Sequence, residues 1–391
     1  MSLPESSSRV ADIRPFRVMQ VLARARELEA AGRHLVHMEI GEPDFATAPP
    51  VVAAGREALQ QGLTHYSPAP GLPQLRQAIA DYYRDQRGVS VAPSRIVVTT
   101  GASGALQLAL GLILDPGQTL LVTDPGYPCY RNFALFLGAR AHTLPVTAVA
   151  GWQPDVHSVA SAMTDDTRAL LLASPANPTG AVIPAAELER LASCLAARQS
   201  WLVVDEIYHG LSYTGALPSA LNAGDNVIVV DSFSKYFGMT GWRIGWLVLP
   251  ESLVEAADRV QQNLSICAPV PAQHAALAAL GSDAMAIHEQ RREAFCARRD
   301  VLLPGLRELG FSIPVTPAGA FYLYADCAAL SDNSEVLARD LLEEAGVAIT
   351  PGADFGDHRA GQHVRFAYTT GLEAIDDGLE RMRRFLRAGG G

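Results

Sequence analysis

Apolar runs of four to six residues alternate with longer stretches of helical periodicity through the middle of the chain. Between such runs, apolar residues recur with the spacing of a buried helix at residues 104–114 and 185–197. Short apolar strands separated by helices are typical of a mainly parallel sheet with helices on both faces. The pattern therefore predicts an α/β fold whose strands occupy residues 95–100, 119–123, 169–173, 201–204, 226–230 and 244–249.

The two ends of the chain follow other patterns. Residues 1–12 are mostly polar and predict an arm, after which apolar residues recur at helical spacing from Ile13 until Gly32 ends the helix. Beyond residue 283 a charged helix, two short strands and two further helices predict a smaller α/β domain, and Pro304 is expected to kink or end the charged helix. These segments cover residues 288–307, 321–324, 335–345, 364–367 and 372–387.

Composition and charge exclude several classes of protein. The net charge is −10, with 49% apolar and 18% charged residues, which is typical of a folded soluble protein and argues against broad nucleic-acid binding. The longest strongly apolar run, residues 105–114, is too short to cross a bilayer, and the first residues lack the pattern of a signal peptide. We therefore expect a cytoplasmic protein with neither a nucleic-acid nor a membrane partner.

The cysteines and histidines give no sign of a metal site or a disulfide framework. The five cysteines are scattered, odd in number and never spaced as C-x-x-C, which favours reduced thiols. His288-Glu289 lacks the second histidine of an H-E-x-x-H zinc motif. We expect no metal.

Polar residues follow the predicted strands, at the edge where ligands bind in parallel sheets. Asp205 and Tyr208 come just after the strand at 201–204, and Lys235 lies in the loop after the strand at 226–230. A buried lysine is costly unless it is paired or covalently used. Taken singly, Asp205 also suits a helix cap, Tyr208 a packing role and Lys235 an exposed loop.

Two further strand ends carry weaker signals. Asn177 opens the sequence N-P-T-G, which by itself is an ordinary turn. Residues 101–105, G-A-S-G-A, place small residues at a helix N-terminus, where exposed N–H groups favour an anion such as phosphate. The segment matches neither a Walker loop nor a dinucleotide fingerprint.

Together and in this order, these motifs resemble the class I and II aminotransferases, the fold-type I pyridoxal-phosphate family that includes aspartate aminotransferase. The resemblance extends from the sequence G-E-P-D-F at residues 41–45 to V-R-F at residues 364–366. Its most specific element is S-x-S-K at residues 232–235, followed eight residues later by Arg243. It implies an arm and helix at residues 1–45, a large cofactor-binding domain at 46–283 and a small C-terminal domain at 284–391.

The resemblance also assigns roles to individual residues. It implies that Lys235 carries pyridoxal 5′-phosphate as a Schiff base and moves the substrate proton, that Asp205 pairs with the ring nitrogen, and that Tyr208 binds the ring oxygen O3′. For the substrate, it implies that Arg365 binds the α-carboxylate beside Gly41 and Asn177. The remaining cofactor contacts that it implies are Asn177 at O3′, Tyr127 stacked on the ring, Ala102, Ser103, Ser232, Ser234 and Arg243 at the phosphate, and Tyr66 at the phosphate of the partner subunit in a homodimer with shared active sites.

The chemistry of the cofactor explains these residue types. The ring withdraws electrons only while its nitrogen stays protonated, so an ionised carboxylate is needed beside it. The cationic ring nitrogen should in turn lower the pKa of Asp205. Once the substrate amine displaces Lys235, that lysine is a neutral amine suited to general acid–base work. The planar fork of Arg365 suits a carboxylate better than the point charge of a lysine.

One position differs from a branch of the family. Some aspartate aminotransferases bind the distal carboxylate of the substrate with a lysine where this chain has Ser103. We therefore expect an aminotransferase of amino-acid metabolism that moves the amino group of a neutral or aromatic L-amino acid to 2-oxoglutarate or pyruvate in a ping-pong cycle. The alternatives are a carbon–sulfur β-lyase and a non-catalytic sensor that holds the cofactor. A DNA-binding regulator is disfavoured, because the stretch before Gly41 predicts a single helix.

Overall fold

The computed structural model describes residues 6–388, so the first five residues of the predicted arm and the last three of the chain lie outside the described part. Helices and strands alternate along most of this range. The strands are β1 Val36–His37, β2 Ile96–Thr99, β3 Thr119–Asp124, β4 Arg140–Pro145, β5 Thr167–Ala173, β6 Trp201–Asp205, β7 Val227–Ser232, β8 Gly245–Val248, β9 Tyr322–Asp326, β10 Val347–Ala348, β11 Thr350–Pro351 and β12 His363–Ala367. The helices are α1 Arg17–Ala30, α2 Pro49–Gln60, α3 Pro73–Arg87, α4 Gly101–Ile113, α5 Cys129–Phe136, α6 Val156–Ala162, α7 Ala185–Ala196, α8 Glu251–Leu264, α9 Val270–Ala279, α10 Ser282–Glu308, α11 Ser334–Asp340 and α12 Leu372–Ala388.

The large sheet has the strand order β2-β8-β7-β6-β5-β3-β4. Its strands run parallel except β8, which is antiparallel to both of its neighbours. The central strands are buried on both faces, because helices cover the sheet from either side. The predicted α/β class and mainly parallel sheet are confirmed.

The edge strand β4 was not predicted. Its residues alternate between exposed and partly buried positions, so it lacks the continuous apolar run that marks the inner strands. Its partner β3 lies within the predicted set and pairs with it in parallel.

The C-terminal part builds a second, antiparallel sheet of order β11-β12-β9. The N-terminal segment joins this part of the molecule, because β1 pairs with β10 and α1 packs its buried residues against Leu342 and Ala348. Helix α1 begins at Arg17 rather than near Ile13, since Pro15 disfavours helical backbone in the residue before it and Phe16 is extended.

Helix α10 passes through Pro304 and ends only at Glu308. The helix was expected to kink or end at this proline; the end is wrong, and the kink stays a prediction. Leu302, Leu303 and Leu306 are buried on either side of Pro304, and this packing offsets the lost backbone hydrogen bond. No helix within residues 6–388 combines the length and apolar character that a membrane crossing requires.

Candidate active site

A cavity of about 460 Å³ opens at the carboxyl ends of β5, β6 and β7, between the large sheet and the small one. The first turn of α4 and the start of α1 also border it. The predicted site residues that line this cavity are Gly41, Ala102, Ser103, Tyr127, Asn177, Asp205, Tyr208, Ser234, Lys235, Arg243 and Arg365.

Lys235 is the only lysine among the 391 residues, the other 30 basic residues of the Lys and Arg total being arginines. Its side chain is partly buried, and its Nζ donates a hydrogen bond of 2.7 Å to the carbonyl oxygen of Gly41. Burial lowers the pKa of Lys235 to about 8 from an ordinary value of 10.5, although the carboxylate of Glu42 opposes the shift. At pH 7 about one tenth of this amine is therefore neutral, far more than for a lysine with the ordinary pKa.

Asp205 ends β6 and is 3% exposed. The hydroxyl of Tyr130 donates to its Oδ2 at 2.7 Å, and the N–H of Ile207 donates to its Oδ1 at 3.1 Å. Burial raises the pKa of Asp205 to about 6, although the hydrogen bonds from Tyr130 and Ile207 and the charge of Lys235 oppose the shift. The local bond to Ile207 resembles a cap, but a buried carboxyl that lines a cavity also suits a cationic ligand atom.

Tyr208 and Tyr322 form a pair of hydroxyls whose oxygens are 2.8 Å apart. Burial raises the pKa of Tyr208 well above its ordinary value, so the hydroxyl stays protonated and can donate. A Cβ on Gly41 would lie 1.9 Å from the Tyr322 oxygen, which explains the glycine there. Sequence reasoning missed Tyr130 and Tyr322, because both lie in segments that look like ordinary core.

The N-terminus of α4 and Arg243 form an anion cradle. A Cβ on Gly101 would lie 2.5 Å from Nη2 of Arg243, and the φ of +68° at Gly101 also favours glycine. Ala102 and Ser103 follow in the first turn of the helix, where free N–H groups attract an anion. Ser234 lines the cavity beside them.

Two predicted residues do not line the cavity. Ser232 lies one layer behind it, with its Oγ 2.8 Å from Oγ of Ser234 and 2.9 Å from the carbonyl oxygen of Ile244. Tyr66 lies on the surface with 79% of the residue exposed. Ser232 therefore supports Ser234, which lines the cavity. Within this chain alone, Tyr66 has no contact with the site.

Arg365 is 4% exposed and enters the cavity from β12. Its Nη1 donates to Oδ1 of Asn177 at 2.9 Å and its Nη2 to the carbonyl oxygen of Glu39 at 2.6 Å. The guanidinium lies between the rings of Tyr322 and Phe355, at 4.3 and 4.7 Å from their centroids. Its Nε has no partner within residues 6–388, which leaves a donor for an incoming carboxylate.

Much of the remaining wall of the cavity is apolar, although Glu42 and Thr240 also line it. Phe16, Val18 and Met19 contribute to it from the start of α1, together with Ile40 and Leu106. The cations that line the cavity within the described chain are Lys235, Arg243 and Arg365. Helical periodicity gave no sign that α1 borders the site, since the residues that hold its start, Tyr127 and Asp354, are distant in the sequence.

Pyridoxal phosphate, the cofactor that the sequence resemblance implies, matches this donor set. The cradle at Gly101 and Arg243 suits its phosphate, Asp205 its ring nitrogen, and the amine of Lys235 its aldehyde carbon. Tyr127 lines the cavity beside them, with its ring 6.2 Å from that of Phe16. The residues present therefore fit the group.

The chain matches the family model described as aminotransferase class I and II over residues 33–382. It is 39% identical over 378 residues to a valine–pyruvate aminotransferase of Mycobacterium tuberculosis, covering 96% of this chain and 97% of that protein. It is also 40% identical over 385 residues to a probable aspartate/prephenate aminotransferase of Thermus aquaticus, covering 97% and 99%.

Solved structures agree with these sequence relatives. A crystal structure of an aminotransferase from Mycobacterium tuberculosis superposes with a TM-score of 0.95 at 38% identity, covering 99% of this chain and 100% of that one. Aspartate aminotransferase from Thermus thermophilus with maleate gives a TM-score of 0.92 at 39% identity, covering 98% and 100%.

Proposed function

The chain belongs to the class I and II aminotransferases, which use pyridoxal 5′-phosphate, and from this premise we propose that its amino donor is a neutral or aromatic L-amino acid. The acceptor is then a 2-oxoacid such as pyruvate or 2-oxoglutarate. The apolar wall of the cavity is the observation that carries this proposal.

The cations of the cavity support the same substrate class. Lys235 is needed for the cofactor carbon, Arg243 for the phosphate and Arg365 for the α-carboxylate, so no described cation that lines the cavity remains for a second carboxylate. An acidic side chain placed against Phe16 and Met19 would lose its hydration without a counter-charge. Among the relatives, one is named for valine and pyruvate and others for aspartate and prephenate; the apolar wall favours the first kind.

When bound, the cofactor supplies the carbonyl that accepts the amino group and the ring that withdraws electrons from the substrate α-carbon. The side chains do the rest. Arg365 would orient the α-carboxylate, and the neutral amine of Lys235 would take the proton from the substrate α-carbon and give it to the cofactor carbon that carries the amino group. Asp205, once ionised, stabilises positive charge at the ring nitrogen, and Tyr208 and Asn177 donate to the ring oxygen.

Two further features belong to the proposal. We infer a homodimer with shared active sites, in which the exposed Tyr66 reaches the phosphate of the partner subunit. Leu59 and Leu63, close to it in the sequence, are also exposed and support a contact there.

We also infer a cytoplasmic location, because the five cysteines form no disulfide bonds with one another, as expected in a reducing compartment.

Replacing Arg365 by lysine should weaken amino-acid binding. The variant keeps the charge but loses the fork that reaches a carboxylate with two donors, so KM should rise by the equivalent of ~2–3 kcal/mol with little change in cofactor content. Arg359→Lys, an exposed arginine before the same strand, is the matched control and should leave KM unchanged. An unchanged KM in Arg365→Lys would show that Arg365 does not bind the α-carboxylate and would overturn this assignment.

A panel of amino donors tests the substrate class. With pyruvate and with 2-oxoglutarate as acceptor, kcat/KM for valine, leucine or phenylalanine should exceed that for aspartate and glutamate by at least about tenfold. A preference for aspartate or glutamate would contradict the proposal.

The aminotransferase, the β-lyase and the sensor can be distinguished by adding a donor without an acceptor, with a cysteine-like amino acid among the donors. A transaminase releases one equivalent of oxoacid per site and then stops. Continued release of pyruvate and ammonia from a cysteine-like donor would indicate the β-lyase. A bound donor that is neither converted nor released would indicate the sensor.

A further inference from the structure

Residues 352–358 connect the small sheet with both α1 and the large sheet. The segment follows β11 and contributes Asp354, Phe355 and Asp357 to these contacts. Phe355 packs against the guanidinium of Arg365, with 4.7 Å between the ring centroid and Cζ. The segment therefore lies behind the predicted carboxylate site and contacts Arg365, the start of α1 and the end of β3.

Asp354 caps a helix that has no cap of its own. Phe16, the residue before α1, cannot accept a hydrogen bond through its side chain. The carboxylate of Asp354, which is 5% exposed, accepts the N–H of Arg17 at 2.7 Å and that of Val18 at 3.4 Å. A carboxylate at this place satisfies otherwise unpaired N–H groups and also interacts favourably with the helix dipole.

The other end of the segment is fixed to β3. Asp124, the last residue of β3, accepts the N–H groups of Asp357 and His358 at 3.0 and 3.1 Å. The N–H of Gly126 donates to the carbonyl oxygen of Phe355 at 2.9 Å. A Cβ on Gly356 would lie 1.8 Å from Oδ1 of Asp124, so only glycine permits this close approach.

The start of α1 forms part of the apolar wall of the cavity. Phe16, Val18 and Met19 line the site, and the Phe16 ring is stacked on that of Tyr127 with 25° between the planes. The two residues whose N–H groups Asp354 holds, Arg17 and Val18, lie within the first turn of this helix. The position of the wall therefore depends on a buried carboxylate 336 to 337 residues away in the sequence.

We propose that Asp354 is a positioning residue that sets the side-chain specificity of the site, by holding the first turn of α1 against the cavity. This inference rests on the proposed function, since it concerns donors with apolar side chains. A large apolar side chain gains from a wall that is fixed in place, whereas the single methyl group of alanine has little surface to bury against it.

Asp354→Ala tests this in the holoenzyme. We expect kcat/KM for leucine to fall by about tenfold or more, mainly through KM, and that for alanine by less than about threefold. Amide hydrogen exchange of residues 17–20 should become faster in the same variant. Asp354→Asn keeps an oxygen that caps α1 and should restore most of the selectivity for leucine.

Two further variants keep the test sharp. Asp357→Ala, in the same segment, removes an exposed ion pair with Arg14 and a longer one of 3.9 Å with Arg131, and it should leave kcat/KM for both donors unchanged. Phe16→Ala removes part of the wall without touching the cap and should show the same loss of selectivity, including if Asp354→Ala does not fold.

The outcomes distinguish this inference from the proposed function. If the wild-type enzyme prefers leucine and both Asp354→Ala and Phe16→Ala keep that preference, the positioning role is overturned while the proposed substrate class stands. If Asp354→Ala lowers kcat/KM equally for alanine and leucine, the role is structural only and the inference fails. If the wild-type enzyme prefers aspartate to leucine, the proposed function itself fails, and this inference with it.

Discussion

Lys235→Ala should lower kcat by at least about 10⁴-fold, because one amine both anchors the cofactor and moves the substrate proton. No second lysine exists in the chain to replace it. The cradle at Gly101 and Arg243 is untouched, so the variant should still bind the cofactor through its phosphate. Steady-state rates with a preferred donor, together with cofactor content after gel filtration, measure the two effects separately.

Lys235→Arg is the matched variant. It keeps a positive charge in the cavity but offers no neutral amine near pH 7, so its rate should fall as far as that of the alanine variant. A wild-type rate in either variant would show that the catalytic amine lies elsewhere and would remove the basis for the other assignments.

Asp205→Asn should lower activity and raise the stability of the apoenzyme. Loss of the carboxylate leaves the ring nitrogen without its counter-charge, and we expect kcat to fall by about 100-fold or more, since each ~1.4 kcal/mol of lost transition-state stabilisation is tenfold in rate. Without cofactor the same carboxylate is a buried charge, as its pKa of about 6 indicates. Asparagine is nearly the same size; its Oδ1 can still accept the N–H of Ile207, and its Nδ2 can donate to the hydroxyl oxygen of Tyr130.

The sign of the stability effect depends on pH. The folded pKa of Asp205, about 6, lies above the ordinary value of 3.8, so the protonated carboxyl favours folding below about pH 4 and this contribution is lost as the pH rises through 6. Above pH 6 the variant apoenzyme should be more stable than the wild type by roughly 3 kcal/mol at most. Urea unfolding of both apoenzymes at pH 4 and pH 8 measures this. A variant that is less stable at pH 8 would contradict the assignment of Asp205 as a buried charge that destabilises the apoenzyme.

The inner strands could be predicted from the sequence because burial on both faces leaves continuous apolar runs, as in β6 and β7. The residues after them could be predicted for the same reason, since parallel strands bring their carboxyl ends to one edge. The antiparallel direction of β8 could not, because an apolar run carries no information on direction. The division at residues 45 and 283 stays a prediction.

Three residues of the site, Tyr130, Tyr322 and Phe16, could not be predicted from the sequence. Tyr130 and Tyr322 act through hydroxyls that point to one polar partner, Asp205 and Tyr208 respectively, while their rings sit in the core. Phe16 enters the site because Asp354 caps α1 from the other end of the chain. Hydrophobic periodicity predicts which residues are buried. It does not predict which distant residue forms a hydrogen bond with a given side chain or helix end.

The most direct test of the central claim, that the cavity around Lys235 holds the cofactor, is borohydride reduction of the holoenzyme followed by peptide mass mapping. Reduction fixes the cofactor to whichever amine holds it, and Lys235 is the only lysine side chain available. We predict one cofactor mass per chain on the peptide that contains Lys235, and none in Lys235→Ala. A cofactor mass on the N-terminal amine, or no covalent mass on an active enzyme, would contradict the claim.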